Sequence, residues 1–324
     1  MATSTVPDRG VSPGDAASGN ESALPQAGRR DAATAIDDTM SLTSDLEDSP
    51  SVRGSVRRFR ADQTAELGDE LRDLRSHGHL LQSLVMRDLT VRYKRSIIGF
   101  LWTMLHPLLL TLIFVVIFST IFRFAIEHYA IYFLSAFLGW NFFSQSTSSA
   151  MSSIAWNGML MKQVRAPRSI FPLSTTISGM VNLVLSMFPL LIIMGIQGIP
   201  IQPSILFLPV SFLLLAMFTF GVSLTLYSVA VFFVDVREMY IVILSALMYL
   251  TPIIYPLEIV PEKFLWIVKI NPLRYLLETL RAPIYYGIIP PIRTLAISGA
   301  VATIALVVGW IAFRRLSPRF YAHL

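Results

Sequence analysis

The chain has 324 residues, of which 54% are hydrophobic and only 15% charged, with a mean hydropathy of +0.60. That balance excludes a soluble globular fold, which must cover its surface with charge, and implies that most of the chain faces lipid. There is no cysteine, so disulfides and thiolate metal sites are excluded. The formal charge of +5 hides an acidic N-terminal stretch, since Asp8, Asp15, Glu21, Asp31, Asp37, Asp38, Asp45, Glu47 and Asp48 meet only Arg9, Arg29 and Arg30.

Residues 1–55 are rich in Ser, Thr, Ala, Gly and Pro and lack apolar periodicity. Such a composition does not repay the entropy of ordering, so a disordered acidic tail is expected. No apolar run follows the first Met, which argues against a signal peptide. Residues 56–101 form the next region. Within it, Leu67, Leu71, Leu74, Leu80, Leu81, Leu84 and Val85 recur at helical spacings among charges. This predicts an amphipathic helix near 66–86 that lies at a membrane interface; a helix docking on a partner has the same pattern.

A membrane domain over 102–324 follows. Six apolar segments have the length to cross a hydrocarbon core, near 102–122, 130–154, 170–196, 204–234, 240–256 and 294–313. Lys and Arg favour a cytoplasmic N-terminus and C-terminus. Arg87, Arg92, Lys94 and Arg95, then Lys162, Arg165 and Arg168, then Arg237, then Arg314, Arg315 and Arg319 all collect on one side. The exception is the connection 257–293, with Lys263, Lys269, Arg274, Arg281 and Arg293 on the other side. Prolines divide it into pieces such as Phe264–Ile270 and Leu273–Ala282, too short to span and suited to two re-entrant outer half-helices.

None of the six segments carries Asp, Glu, Lys or Arg in its interior, which disfavours an ion-coupled carrier. No G-x-x-x-x-G-K-[ST] motif occurs, so no ATPase of the P-loop kind is expected on the chain. In the second segment Asn141, Gln145, Ser148, Ser149 and Ser152 fall on one helical face beside Trp140. They suit a hydrophilic path for sugar hydroxyls, or equally hydrogen bonding between helices. Tyr249 and Tyr255, with Trp140, could line the same path; otherwise the aromatic residues form an interfacial belt. The loop 157–168 has Gly158 and Pro167 bounding a short helical piece, with Met159, Lys162, Gln163, Arg165 and Arg168 as candidates for contact with a cytoplasmic engine. Its cations could equally serve topology alone. A membrane transferase would need converging carboxylates, His or metal ligands, and none is legible; His106 stands alone near the start of the first segment.

The run Arg87-Asp88-Leu89-Thr90-Val91-Arg92-Tyr93, then Ser96, Gly99 and Trp102, then His106-Pro107, resembles the approach to the first span of ABC-2 type permeases that export cell-surface polysaccharides. Phe233 to Arg237, Pro252 to Pro256 and Asn271-Pro272-Leu273 resemble the same family, over about residues 60–320. Among its branches the chain looks somewhat like the one that exports mycobacterial galactan. The resemblance implies an all-α membrane protein working as a homodimer with two copies of a separate ABC ATPase. It implies no cofactor on this chain, with ATP and Mg bound by that partner. Its cargo would be a lipid-linked polysaccharide crossing the inner membrane, and nucleic acid has no part. It also implies that Arg87, Asp88, Arg92, Tyr93, Gly99 and Trp102 shape the interface region, that 157–168 is a coupling helix, and that Trp266, Asn271, Pro272 and Tyr275 belong to an outer gate.

Overall fold

The computed structural model describes residues 74, 76–93, 101–121, 126–163, 167–233 and 235–322. The expected tail and the first part of the interface region lie outside them. The described residues belong to one compact unit. They contain nine α-helices and no strand.

The helix α1 spans Gly78–Tyr93. Its Leu84 is buried against Ile170 and Phe171, with Leu74, Leu80 and Leu81 packed beside it. The apolar face read from the sequence is thus used against the chain itself. The helix α2, Leu101–Val115, contains Pro107 and runs on as a wider π-turn over Val116–Ile121. Proline has no N–H to give the carbonyl one turn back, which weakens the helix at this point; one turn further on, the hydroxyl of Thr111 donates to the Pro107 carbonyl at 2.7 Å.

The helix α3 spans Tyr129–Gln163. It passes through Asn157 and Gly158 without interruption, which corrects the separate short helical piece expected at 157–168. One glycine inside a long helix costs only about 1 kcal/mol and does not end it. The helix α4 covers Ile170–Ile196. A 3₁₀ turn, Pro203–Phe207, leads into α5, Leu208–Ala230. The helix α6 covers Val236–Leu250 and stops before Pro252, as the Pro-rich end of the fifth segment predicts. Two short helices follow, α7 over Glu262–Ile270 and α8 over Pro272–Arg281, where the prolines place them. Last come α9, Ile292–Leu316, and a 3₁₀ turn, Ser317–Ala322.

Among the described residues three helical stretches are long and apolar enough to cross a membrane, Ile170–Ile196, Pro203–Ala230 and Ile292–Leu316. Met104–Phe118 is a shorter apolar stretch. The helix α3 has ample length but is diluted by its serines and amides. The helix α6 has 15 residues, because its segment unwinds at the prolines.

A long core runs along α3, joined by Leu183, Met187, Leu190 and Met194 of α4, Leu215 and Phe218 of α5, and Leu273, Leu276, Leu277 and Leu280 of α8. Phe133 and Phe137 stack at 5.0 Å, and Phe143 meets Phe218 at 5.6 Å. Where helices sit among apolar chains, burial gains little over lipid, so close packing and hydrogen bonds carry the association. The crossing of α5 and α9 shows this best. A Cβ on Gly309 would lie 2.0 Å from the Gly221 carbonyl oxygen, and one on Gly221 would lie 2.4 Å from the backbone of Ala305. Glycine at both positions lets the two backbones touch.

Candidate functional site

The polar face of α3 divides. Asn141 and Gln145 are joined by a bond from Gln145 Nε2 to Asn141 Oδ1 at 2.7 Å. Both face a cavity of about 210 Å³ between α2, α3 and α4, with Trp102 and His106 on one wall and Asn182 and Ser186 on another. The amides on α3 and the polar pair on α4 are each one turn apart, and so are Trp102 and His106 on α2. His106, solitary in the sequence, therefore shares a site with two helices. Ser152 Oγ donates back to the Ser148 carbonyl at 3.0 Å, which satisfies it within its own helix. Ser149 is half-buried. Trp140 is only 5% exposed and packs 6.1 Å from Phe143 in the core, away from this cavity.

Tyr249 and Tyr255 sit elsewhere. Tyr249 is 68% exposed at the end of α6, and Tyr255 donates its hydroxyl to the Tyr249 carbonyl at 2.7 Å. They do not line the cavity that holds Asn141 and Gln145. The nearby broken segment is held by its carbonyls. Arg281 donates from Nη2 to Pro252 at 3.0 Å and Ile253 at 3.3 Å. The Tyr129 hydroxyl donates to Ile254 at 2.8 Å, and that of Tyr132 to Tyr255 at 3.1 Å. Four consecutive carbonyls, each without a helical partner, are thus matched one by one. Arg281 is 4% exposed, lies 3.9 Å from the centre of the Tyr132 ring and pairs with Glu278 at 3.7 Å. Sequence reasoning counted Arg281 only as a cation on the wrong side; no local pattern marks it as buried.

The residues expected at an outer gate serve the same region. Asn271 accepts from the Leu273 N–H at 3.0 Å, capping α8, and donates to Thr251 Oγ1 at 2.8 Å. Pro272 takes the first position of α8, where its missing N–H costs nothing. Tyr275 donates to the Lys269 carbonyl at 3.0 Å, and Trp266 on α7 is exposed. The Tyr285 hydroxyl donates to the Glu127 carbonyl at 2.8 Å. Burial pushes the Tyr285 and Tyr286 phenols up, and the Glu127 and Glu278 carboxylates push the same way for each in turn. Both phenols therefore stay neutral donors at physiological pH.

At the opposite end, Arg87 pairs with its neighbour Asp88 at 3.0 Å. Arg92 and Tyr93 lie in the last turn of α1, while Gly99 and Arg165 fall outside the described residues. Met159, Lys162 and Gln163 lie in the last turns of α3. Arg168 donates to the Ser317 carbonyl and rests 5.9 Å from the centre of the Phe320 ring. It ties the start of α4 to the turn after α9, among Tyr227, Phe313 and Phe320.

Asn182, Ser186 and His106 escaped the sequence reading as site residues. The signal was available, since Asn182 and Ser186 repeat in the third segment the one-turn spacing of Asn141 and Gln145.

The sequence of this helical chain places it in a known class of membrane component. Residues 79–285 match the ABC-2 type transporter family, and the chain belongs to that family. Among curated proteins it is similar to O-antigen export system permease proteins RfbA. The one from Klebsiella pneumoniae is 30% identical over 251 residues, covering 75% of this chain and 95% of that protein. The one from Myxococcus xanthus is 30% identical over 246 residues, covering 75% and 93%. The capsule polysaccharide export inner-membrane protein CtrC of Neisseria meningitidis is 28% identical over 214 residues, covering 64% and 79%.

Proposed function

We propose that this chain is the membrane permease of an ATP-driven exporter that moves a lipid-linked polysaccharide across the inner membrane. The observation that carries the reading is the similarity to O-antigen permeases along 95% of their length. The chemistry agrees with it. A polymer needs a wet path of neutral hydrogen-bonding groups, and α3 offers amides and hydroxyls without a charge at that depth. In this reading two copies of the chain work with two copies of a separate ABC ATPase, which binds ATP and Mg. The helices α2, α3, α4, α5, α6 and α9 are the six spans, α7 and α8 dip into the outer leaflet, and both termini are cytoplasmic. Asn141, Gln145, Ser148, Ser149 and Ser152 face the path in the assembled dimer, with Tyr249 and Tyr255 at its outer end.

Vesicles holding the chain and its ATPase should move lipid-linked glycan only when ATP is supplied. Movement that persists without the ATPase overturns the proposal, and so does its absence from the complete complex.

Met159, Lys162, Gln163, Arg165 and Arg168 are the proposed coupling residues, and their roles divide. Reversing Lys162 and Arg165 to Glu should cut glycan transfer about tenfold or more by repelling the partner's surface, while the permease still inserts. Arg168→Glu should in addition lower the melting temperature of the purified chain, because a carboxylate cannot donate to the Ser317 carbonyl. Thermal unfolding in detergent separates the two effects.

A further inference from the structure

The cavity between α2, α3 and α4 combines features that a bare path does not require. Its walls present two carboxamides joined to one another and a third, Asn182, across from them. A carboxamide both donates and accepts, so it can bridge neighbouring hydroxyls on one ring. Ser186 gives its proton to the Asn182 backbone carbonyl at 2.8 Å, so its oxygen is presented as an acceptor. No Lys, Arg, Asp or Glu stands among the described residues of the lining, so those walls bring neutral amides, a hydroxyl and an imidazole to a ligand rather than a fixed charge for a phosphate or carboxylate. Trp102 at the rim is 51% exposed and offers an aromatic face to an apolar ring surface. About 210 Å³ of space falls below the range of sites for drug-sized ligands and suits a single ring.

We propose that this cavity is a subsite for one uncharged sugar unit, its ring face on Trp102 and its hydroxyls shared among His106, Asn141, Gln145, Asn182 and Ser186. The inference rests on the export reading and adds to it a place and a chemistry of recognition. A contact limited to one unit is weak and easily released, as a moving polymer requires.

The test uses the purified full chain with neutral methyl hexosides as probes and methyl hexuronides as the charged comparison. A saturable change in tryptophan fluorescence is expected with the neutral probes, roughly millimolar for so small a ligand. It should vanish in Trp102→Phe and be absent with the hexuronides. Asn182→Leu and Ser186→Leu, which fill the cavity from two positions, should each weaken binding about tenfold or more, the value of one to two lost hydrogen bonds. Both should slow glycan transfer in vesicles containing the ATPase with insertion unchanged, and thermal unfolding separates the lost contact from the packing cost of a larger side chain at Ser186, which is 5% exposed. If the wild-type complex moves glycan and the two Leu variants bind and transport as it does, the subsite is overturned and the export reading stands. If the wild-type complex moves none, the export reading falls while the binding measurement still decides the subsite.

Discussion

Gly309→Leu is expected to prevent correct packing of the membrane domain, with little folded protein recovered from detergent-solubilised membranes. The crossing of α5 and α9 leaves no room at this point, because a Cβ on Gly309 would lie 2.0 Å from one backbone atom of Gly221 and 2.7 Å from another. Backbone cannot step aside as a flexible side chain can. Even Gly309→Ala should cost about 1–3 kcal/mol or more, the range for overpacking a filled core, and Leu must drive the helices apart. Separating them also loosens the neighbouring contacts of Ala302 and Phe218 in the main core. Gly299, on the same helix, is the control, since nothing lies within 4 Å of a Cβ placed there. Gly299→Ala should be neutral or stabilise by up to about 1 kcal/mol through better helix propensity. Monodispersity on gel filtration and the melting temperature of both variants measure the difference. Equal behaviour of the two would mean that α5 and α9 do not touch as described.

Arg281→Met is the second substitution with a large expected effect. Methionine keeps the length and the packing but removes the donors that hold Pro252 and Ile253, so two buried carbonyls lose their partners. Leaving them unmatched, with the loss of the stacked Tyr132 ring and the Glu278 pair, should cost about 2–5 kcal/mol. The segment between α6 and α7 should then become an early site of proteolytic cleavage. Arg281→Lys should recover only part of the loss, because an ammonium lacks the planar fork that reaches carbonyl and ring together. Tyr132→Phe removes a single bond, to the Tyr255 carbonyl, and should cost about 1 kcal/mol. Limited proteolysis with thermal unfolding orders the three variants, and a stable, protease-resistant Arg281→Met would show that these carbonyls do not depend on Arg281.

Much of this protein is legible along the chain because the solvent is lipid. Apolar length marks α4, α5 and α9 directly, and prolines mark the end of α6 and both short helices. The α3 stripe is visible for the same reason, since amides and hydroxyls stand out in a segment otherwise made for hydrocarbon. The motif from Arg87 to Pro107 carries the family before any coordinates are needed. Less legible is the path of α3 through Gly158, because one glycine weakens a helix by only about 1 kcal/mol and does not by itself end it.

Composition and periodicity thus determined by themselves that the chain is helical and membrane-bound, because each follows from residues within one segment. The company each residue keeps was decided only by the tertiary structure. Trp140 and Asn141 are adjacent in the chain, yet one is sealed in the core and the other faces a cavity, since neighbouring helical residues point about 100° apart. His106, Asn182 and Ser186 come from different helices, and only packing brings them to Asn141 and Gln145. Arg281 looked like a stray charge and proved to be the donor that a broken helix end requires, because an unwound backbone leaves carbonyls whose partners must come from far along the chain.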